Sequence, residues 1–133
     1  MQDIERNKLN TKIFFDGFVS QDYKALENLL APDVVHIIPG NSPAVSELKG
    51  SEYLQAVKAN FGENVTHAEL EILNMTAEEN RVASEVFGTF IFKNGVTYSN
   101  YYHFLYHFNS EGKIIRMVEY MDTHYYLKTF GQI

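Results

Sequence analysis

The chain contains no cysteine and no tryptophan, only three prolines, and fewer basic than acidic side chains: 11 Lys and Arg against 17 Asp and Glu, for a formal charge of −6. Without cysteine there are no disulfides, thiolate metal sites or cysteine nucleophiles, and the redox compartment stays open. The shortage of basic groups argues against a nucleic-acid partner, because phosphate backbones are bound by clustered Lys and Arg. Gly62, Gly88, Gly95 and Gly112 are scattered, so the sequence offers no phosphate-cradling loop and implies no nucleotide cofactor. The opening MQDIERNKLN alternates charge, and no apolar run approaches the roughly 20 residues that cross a bilayer. The expectation is a soluble, cytoplasmic protein without a membrane partner.

What the chain does have is aliphatic and aromatic bulk. With 133 residues, 45% of them hydrophobic and 14% aromatic (nine Tyr, ten Phe), it is long enough to bury a core and has the size of one domain, 1–133. Its periodicity changes once. Ile4, Leu9, Ile13, Phe14, Phe18 and Val19 recur at helical spacing behind Asp3, a candidate cap, with Gly17 the one weak position. Asp22 caps a short second helix over 23–30, which Pro32 prevents from continuing. Residues 34–38 read as a strand, 39–43 as a loop, and Ser51 caps a third helix running to about Phe61 and closed by Gly62. Beyond it the chain alternates, predicting strands over 67–75, 81–92, 96–108 and 113–122.

The turns between these strands predict an antiparallel meander. Asn94 and Gly95 are read as supplying the positive φ angles of a tight hairpin, and Asn109 to Gly112 as the next turn. Strands this long must coil, and Gly88 in mid-strand is a candidate bulge or kink. Three helices followed by a strongly curved antiparallel sheet describe an α+β cone that encloses a pocket, a natural site for a hydrophobic small molecule. In the last strand one carboxylate, Glu119, interrupts an apolar row of Ile115, Met117 and Met121. Such a group either points into a ligand cavity, where burial would suit it to proton transfer, or is satisfied by a structural donor. His103 and His107 do not make a metal site, since four residues along a strand separate them by roughly 13 Å.

SQDYKALENLLAPDV, ELKGSEYLQAV, YSNYYHF and GKIIRMVEYMDT, in this order, resemble the NTF2-like superfamily, specifically its SnoaL-like polyketide cyclase and ketosteroid isomerase-related group. The resemblance implies a conical α+β barrel, dimerisation through the outer sheet surface, and activities from isomerases and cyclases to epoxide hydrolases, with non-catalytic members besides. An acid–base Asp of the cyclases and epoxide hydrolases falls on Glu119. The hydrolases' water-positioning Tyr and Asn fall on His36 and Ile38, and their Arg and second Asp on Val86 and Gly88, so that set is broken. The ketosteroid isomerase base falls near Ile38, its Tyr near Phe14 and its protonated Asp near Phe104, all apolar here.

By the parity that the resemblance implies, the cavity row of the third long strand is Tyr98, Asn100, Tyr102, Phe104, Tyr106 and Phe108. Tyr98, Asn100 and Tyr102 are then candidates to orient a carbonyl or hydroxyl, while Phe14, Ile38, Phe90 and Phe104 supply apolar contact. An amide among aromatics needs a bonding task, structural or ligand-directed, and this is Asn100's position. His36 is placed to exchange a proton with Glu119 or with substrate. The implied function is cofactor-free, metal-free acid–base chemistry on a hydrophobic carbonyl compound, by an isomerase or cyclase with Glu119 as acid or base. The alternative is a non-catalytic domain that binds a hydrophobic ligand or serves in dimerisation. Asp122 is expected to cap a C-terminal helical segment whose Tyr125, Tyr126, Leu127 and Phe130 close one end of the cone. The opposite parity, with Tyr101, Leu105, Val118 and Tyr120, predicts an apolar outer face and a homodimer packed through it.

Overall fold

The computed structural model describes residues 2–131. Helix α1 (Gln2–Ser20) and the short α2 (Tyr23–Leu29) lead into strand β1 (Leu30–Ile38) and a brief β2 (Ser46–Lys49). Helix α3 (Glu52–Asn60) and one 3-10 turn (Gly62–Asn64) precede four long strands: β3 (Val65–Glu78), β4 (Arg81–Phe92), β5 (Thr97–Phe108) and β6 (Ile114–Met121). Helix α4 (Thr123–Thr129) follows. The strands form one sheet in the order β2-β1-β6-β5-β4-β3, curled but not closed.

The meander β3 to β6 is antiparallel as its turns predict, but β1 joins β6 in parallel, with His36 opposite Met117. A wholly antiparallel sheet is therefore corrected by one pairing, which is invisible to local sequence because the two strands lie at opposite ends of the chain. Strand β1 also begins earlier than expected. Its pairing with β6 breaks between Leu30 and Val35, around Pro32, which has no N–H to contribute to a ladder. Strand β2 escaped the sequence reading because SELK is only four residues long and mostly polar.

Several local devices differ from the expected ones. Asp3 lies inside the first turn of α1, 3.4 Å from Arg6, rather than before it. Ser51 makes no cap bond; Glu52 Oε1 instead accepts from the backbone N–H of Lys49 at 2.8 Å. In the β4–β5 hairpin only Gly95 takes a positive φ, of 89°, while the Asn94 side chain accepts from Val96 N–H at 3.0 Å. The Asn109 carboxamide oxygen likewise organises the β5–β6 turn, accepting from the N–H groups of Glu111 and Lys113.

Gly88 is not a bulge: it pairs in unbroken register with Leu70 and Asn100. A Cβ there would lie 3.1 Å from both Phe90 and Tyr102 ring carbons and 3.2 Å from Leu70, so the glycine makes room for interior side chains. Besides one at Thr66, near the start of β3, the irregularities of the meander fall at Leu73, between Ile72 and Asn74 of β3, and at Ile115 of β6. The last of these brings Ile114, rather than Ile115, opposite Phe108 and into full burial.

Helix α1 lies against the concave face of the sheet through Asn7, Thr11, Phe14 and Phe15, all buried. These positions keep helical spacing, but Leu9 and Ile13, counted in the apolar stripe from sequence, are exposed. Thr11 Oγ1 satisfies itself on the Asn7 carbonyl at 2.8 Å, which lets a hydroxyl occupy the buried face. The core is completed by Leu26, Val82, Val86, Tyr98, Tyr102, Phe108, Ile114 and Met117. Among the described residues, no helix is long and apolar enough to cross a membrane.

Candidate active site

Alternation along β4, β5 and β6 sends Val82, Val86 and Phe90, then Tyr98 to Phe108, then Met117, Glu119 and Met121 to the concave side. Cross-strand pairing puts Phe104 opposite Glu119, Tyr106 opposite Met117, and Met117 in turn opposite His36. The concavity is not filled. Beneath α1 and α3 it leaves a cavity of about 510 Å³, a size suited to a small organic molecule. Phe14, Phe15 and Phe18 of α1 and Phe61 at the end of α3 supply aromatic walls. Pro43, Ala44 and Val45 close another side, and Tyr126 and Phe130 of the C-terminal segment border it. Val45 and Phe130 are lining residues that also remain exposed, and they mark where the cavity meets solvent.

The predicted site residues Glu119, His36, Tyr98, Tyr102, Phe104, Phe14, Ile38 and Phe90 all line this one cavity. His36 Nε2 lies 3.1 Å from Glu119 Oε1, with 8% of the His36 side chain and 19% of the Glu119 side chain exposed. The imidazole is held from the other side by Tyr53, whose ring centroid is 4.7 Å away. Its second nitrogen, Nδ1, is buried and has no partner among the described residues. With Glu119 ionised, the proton belongs on Nε2, where it is donated to the carboxylate; the tautomer with its proton on Nδ1 would strand a buried donor and set a lone pair against the anion.

Asn100 is set apart. It is buried outside the cavity lining, and each end of its amide is occupied. Nδ2 donates to Tyr98 Oη at 2.7 Å and to the Asp122 carbonyl at 3.1 Å, and Oδ1 accepts from the Tyr101 N–H at 2.8 Å. It thereby ties β5 to the start of α4, where the Asp122 side chain caps the helix by accepting from Tyr125 N–H at 3.0 Å. Tyr102 Oη donates to Tyr98 Oη at 3.3 Å, and the Tyr98 ring is packed by Tyr125, Tyr126 and Phe130.

Sequence reasoning passed over Tyr53 on α3, and it gave Tyr126 on α4 a place at the closed end of the cone but none in the site that it borders. A signal for the first was present: Tyr53, Ala56, Val57, Asn60 and Phe61 follow one helical stripe, and all five line the cavity. Burial pushes the phenol of Tyr53 above the usual 10.0, and the charge of Glu119 adds to the effect. Tyr106 is raised well above that value by burial, then by Tyr53 and Glu119. Tyr98, Tyr102 and Tyr126 are raised for the same leading reason; for Tyr98 the bonds to Asn100 and Tyr102 offset part of the shift. Around one carboxylate the protein thus sets five phenols that keep their protons at neutral pH. Among the described residues, no group of three or more acidic, His or Cys side chains is placed to hold a metal ion.

Residues 12–117 match the SnoaL-like domain family. The chain belongs to that family. The SnoaL-like match includes His36 but stops short of Glu119, so the pairing of those two side chains rests on the structure alone. Solved structures agree on an NTF2-like fold. An NTF2-like protein from Burkholderia xenovorans is 25% identical, with 95% of this chain and 96% of that one covered and a TM-score of 0.75. A Bacillus subtilis protein provisionally called an isomerase is 17% identical over 100% of this chain and 98% of its own, with a TM-score of 0.82. An LEH-like epoxide hydrolase of Mycobacterium tuberculosis is 15% identical over 95% of this chain and 90% of its own, with a TM-score of 0.76. No curated protein matches the SnoaL-like chain in sequence.

Proposed function

We propose that this SnoaL-like domain is a cofactor-free isomerase or cyclase acting on a hydrophobic, carbonyl-containing small molecule. Glu119 is its proton-transferring group and His36 the residue that holds it in position. The observation that carries the reading is the 3.1 Å contact between His36 Nε2 and Glu119 Oε1 inside a cavity lined mainly by aromatic and aliphatic side chains. A carboxylate held by one imidazole N–H keeps a second oxygen for a proton next to a substrate carbonyl. Phe14, Phe90 and Phe104 exclude water and favour a flat ligand. The test is hydrogen–deuterium exchange at the carbon beside the carbonyl of 2-tetralone, a flat enolisable ketone, followed by NMR in D2O. Protein-dependent exchange that Glu119→Gln abolishes supports the enzyme; exchange equal in both proteins, or absent from both, favours the non-catalytic, ligand-binding alternative.

A homodimer packed through the outer sheet face belongs to the same proposal. Tyr101 and Tyr120 are 64% and 49% exposed on that face, and Phe87 packs 4.8 Å from Tyr101. Exposed aromatics of this size on one side of a sheet favour a covering partner. A dimer mass in light scattering that Tyr101→Lys converts to a monomer is the expected result, and a wild-type monomer across micromolar dilution overturns it.

A further inference from the structure

A second pocket, of about 390 Å³, lies at the C-terminal end of α3 and shares no lining residue with the first. Helix α3 and the turn after it divide the two: Val57, Asn60 and Phe61 face the large cavity, and Lys58 and Gly62 face the small one. The turn between α1 and α2 supplies the opposite wall through Gln21 and Tyr23, and Glu63 and Asn64 complete the lining.

Two residues with left-handed backbone build this place. Gln21, with φ of 59°, sits where glycine commonly ends a helix: its N–H bonds the Phe18 carbonyl at 3.2 Å, and the N–H of Asp22 bonds the Gly17 carbonyl at 2.9 Å. The side chain that makes the position costly crosses to the other wall, where Nε2 donates to the Gly62 carbonyl at 2.8 Å. Gly62, with φ of 36°, has no side chain to crowd Tyr23 Oη, from which a Cβ would stand only 3.8 Å.

Two donors here lack acceptors. Tyr23 Oη is buried and makes no hydrogen bond among the described residues, a costly state for a hydroxyl. Lys58 is exposed, forms no ion pair among the described residues, and holds its ammonium 5.1 Å from the centroid of the same phenol ring. Glu63 offsets the charge of Lys58, so the lining as a whole is neutral and suits a ligand with one negative charge better than one with two. The amides of Gln21 and Asn64 each spend an N–H on a backbone carbonyl, which leaves their oxygens to accept.

We infer that this pocket is a second ligand site, for a small hydroxycarboxylate. Lys58 and Tyr23 donate to the carboxylate, and the carboxamide oxygens of Gln21 and Asn64 accept from the hydroxyl. Tyr23 Oη is covered as it stands, and the ligand reaches it by turning aside the Lys58 side chain, which is exposed and lies over the ring. A ligand so held ties the end of α3, a wall of the large cavity, to the α1–α2 turn. The site does not depend on the role of Glu119.

The test adds L-lactate to the full chain and follows backbone amide shifts by NMR and the thermal midpoint, with L-lactamide as the uncharged control. Saturable shifts are expected at Gln21, Lys58, Gly62 and Asn64, with a dissociation constant of a few millimolar, about what so small a ligand can reach, and none with L-lactamide. Lys58→Gln and Tyr23→Phe are each expected to weaken lactate binding about fivefold or more, and Glu119→Gln to leave it within about twofold. Tyr23→Phe also separates a ligand donor from a merely unpaired hydroxyl: its midpoint without lactate holds or rises in either case, and only for a ligand donor does the increment that lactate adds shrink. No saturation below about 50 mM, an equal response to L-lactamide, binding untouched by either pocket variant, or shifts centred on the large cavity and lost in Glu119→Gln overturn the site. Inorganic phosphate bound as tightly as lactate overturns the ligand class.

Discussion

Two polar clusters share the concave face of the sheet, and they differ in whether they satisfy themselves. The first, Asn100 with Tyr98, Tyr102 and the Asp122 carbonyl, closes on itself: the amide makes three bonds and the two phenols bond each other. The second, His36, Glu119, Tyr53 and Tyr106, contains one internal bond and leaves an imidazole nitrogen and two hydroxyls unengaged by the described residues. A closed network fixes geometry, here the joint between β5 and α4. An open one keeps donors and acceptors for something that comes and goes. On an aromatic face where every polar group is conspicuous, the distinction separates scaffold from chemistry better than residue type does.

The comparison breaks first at Glu119. Glu119→Gln is expected to lower turnover of any accepted ketone by about a hundredfold or more, since that is the scale of a lost acid–base group, while the thermal midpoint moves little. A midpoint loss as large as that of Asn100→Ala would instead put Glu119 with the scaffold. The next effect is alkaline. Each phenol of raised pKa stays protonated in the folded chain while its unfolded counterpart ionises, so stability is whole below about pH 10 and is lost as pH rises above it. The loss is about 1.4 kcal/mol per pH unit per phenol. Urea melts across that range should show the steepening, and Tyr53→Phe or Tyr106→Phe should each reduce it.

Asn100→Ala should cost about 3 kcal/mol in chemical denaturation, because it leaves a buried phenol, a carbonyl and an N–H short of partners; activity per folded molecule should follow the position of α4. Gly88→Ala should cost about 2 kcal/mol through overpacking against Phe90, Tyr102 and Leu70. The smallest effect is Asp122→Ala, about 1 kcal/mol for a lost helix cap, visible as a modest drop in thermal midpoint.

The closed and open clusters were unequally legible. Period-two alternation is a property of single strands, so the row from Tyr98 to Phe108 and the row that holds Glu119 can be read from β5 and β6, while the side each row faces came from the parity that the family resemblance implies. The bonding of Asn100 could be foreseen as a need but not as a choice, because its partners include a backbone carbonyl 22 residues away. Tyr53 was hidden differently: its helical stripe is visible, but that the stripe faces a void beside His36 depends on how α3 docks. Pairing properties were least legible. The bulges at Leu73 and Ile115 and the parallel seam between β1 and β6 are settled between strands, and no single segment encodes them.

That parallel seam has a consequence for assembly in time. His36 and Glu119 are 83 residues apart, and they meet because the strand that follows the first two helices docks on the last strand of the sheet. The hairpins of the meander can close locally, whereas this seam needs the longest loop closure of the site and is the slower, costlier contact to form. A chain with its meander folded and β1 still detached would carry Glu119 without the imidazole that holds it. Competence at this site is therefore a readout of completed topology, and acquisition of activity during refolding should lag behind the appearance of sheet.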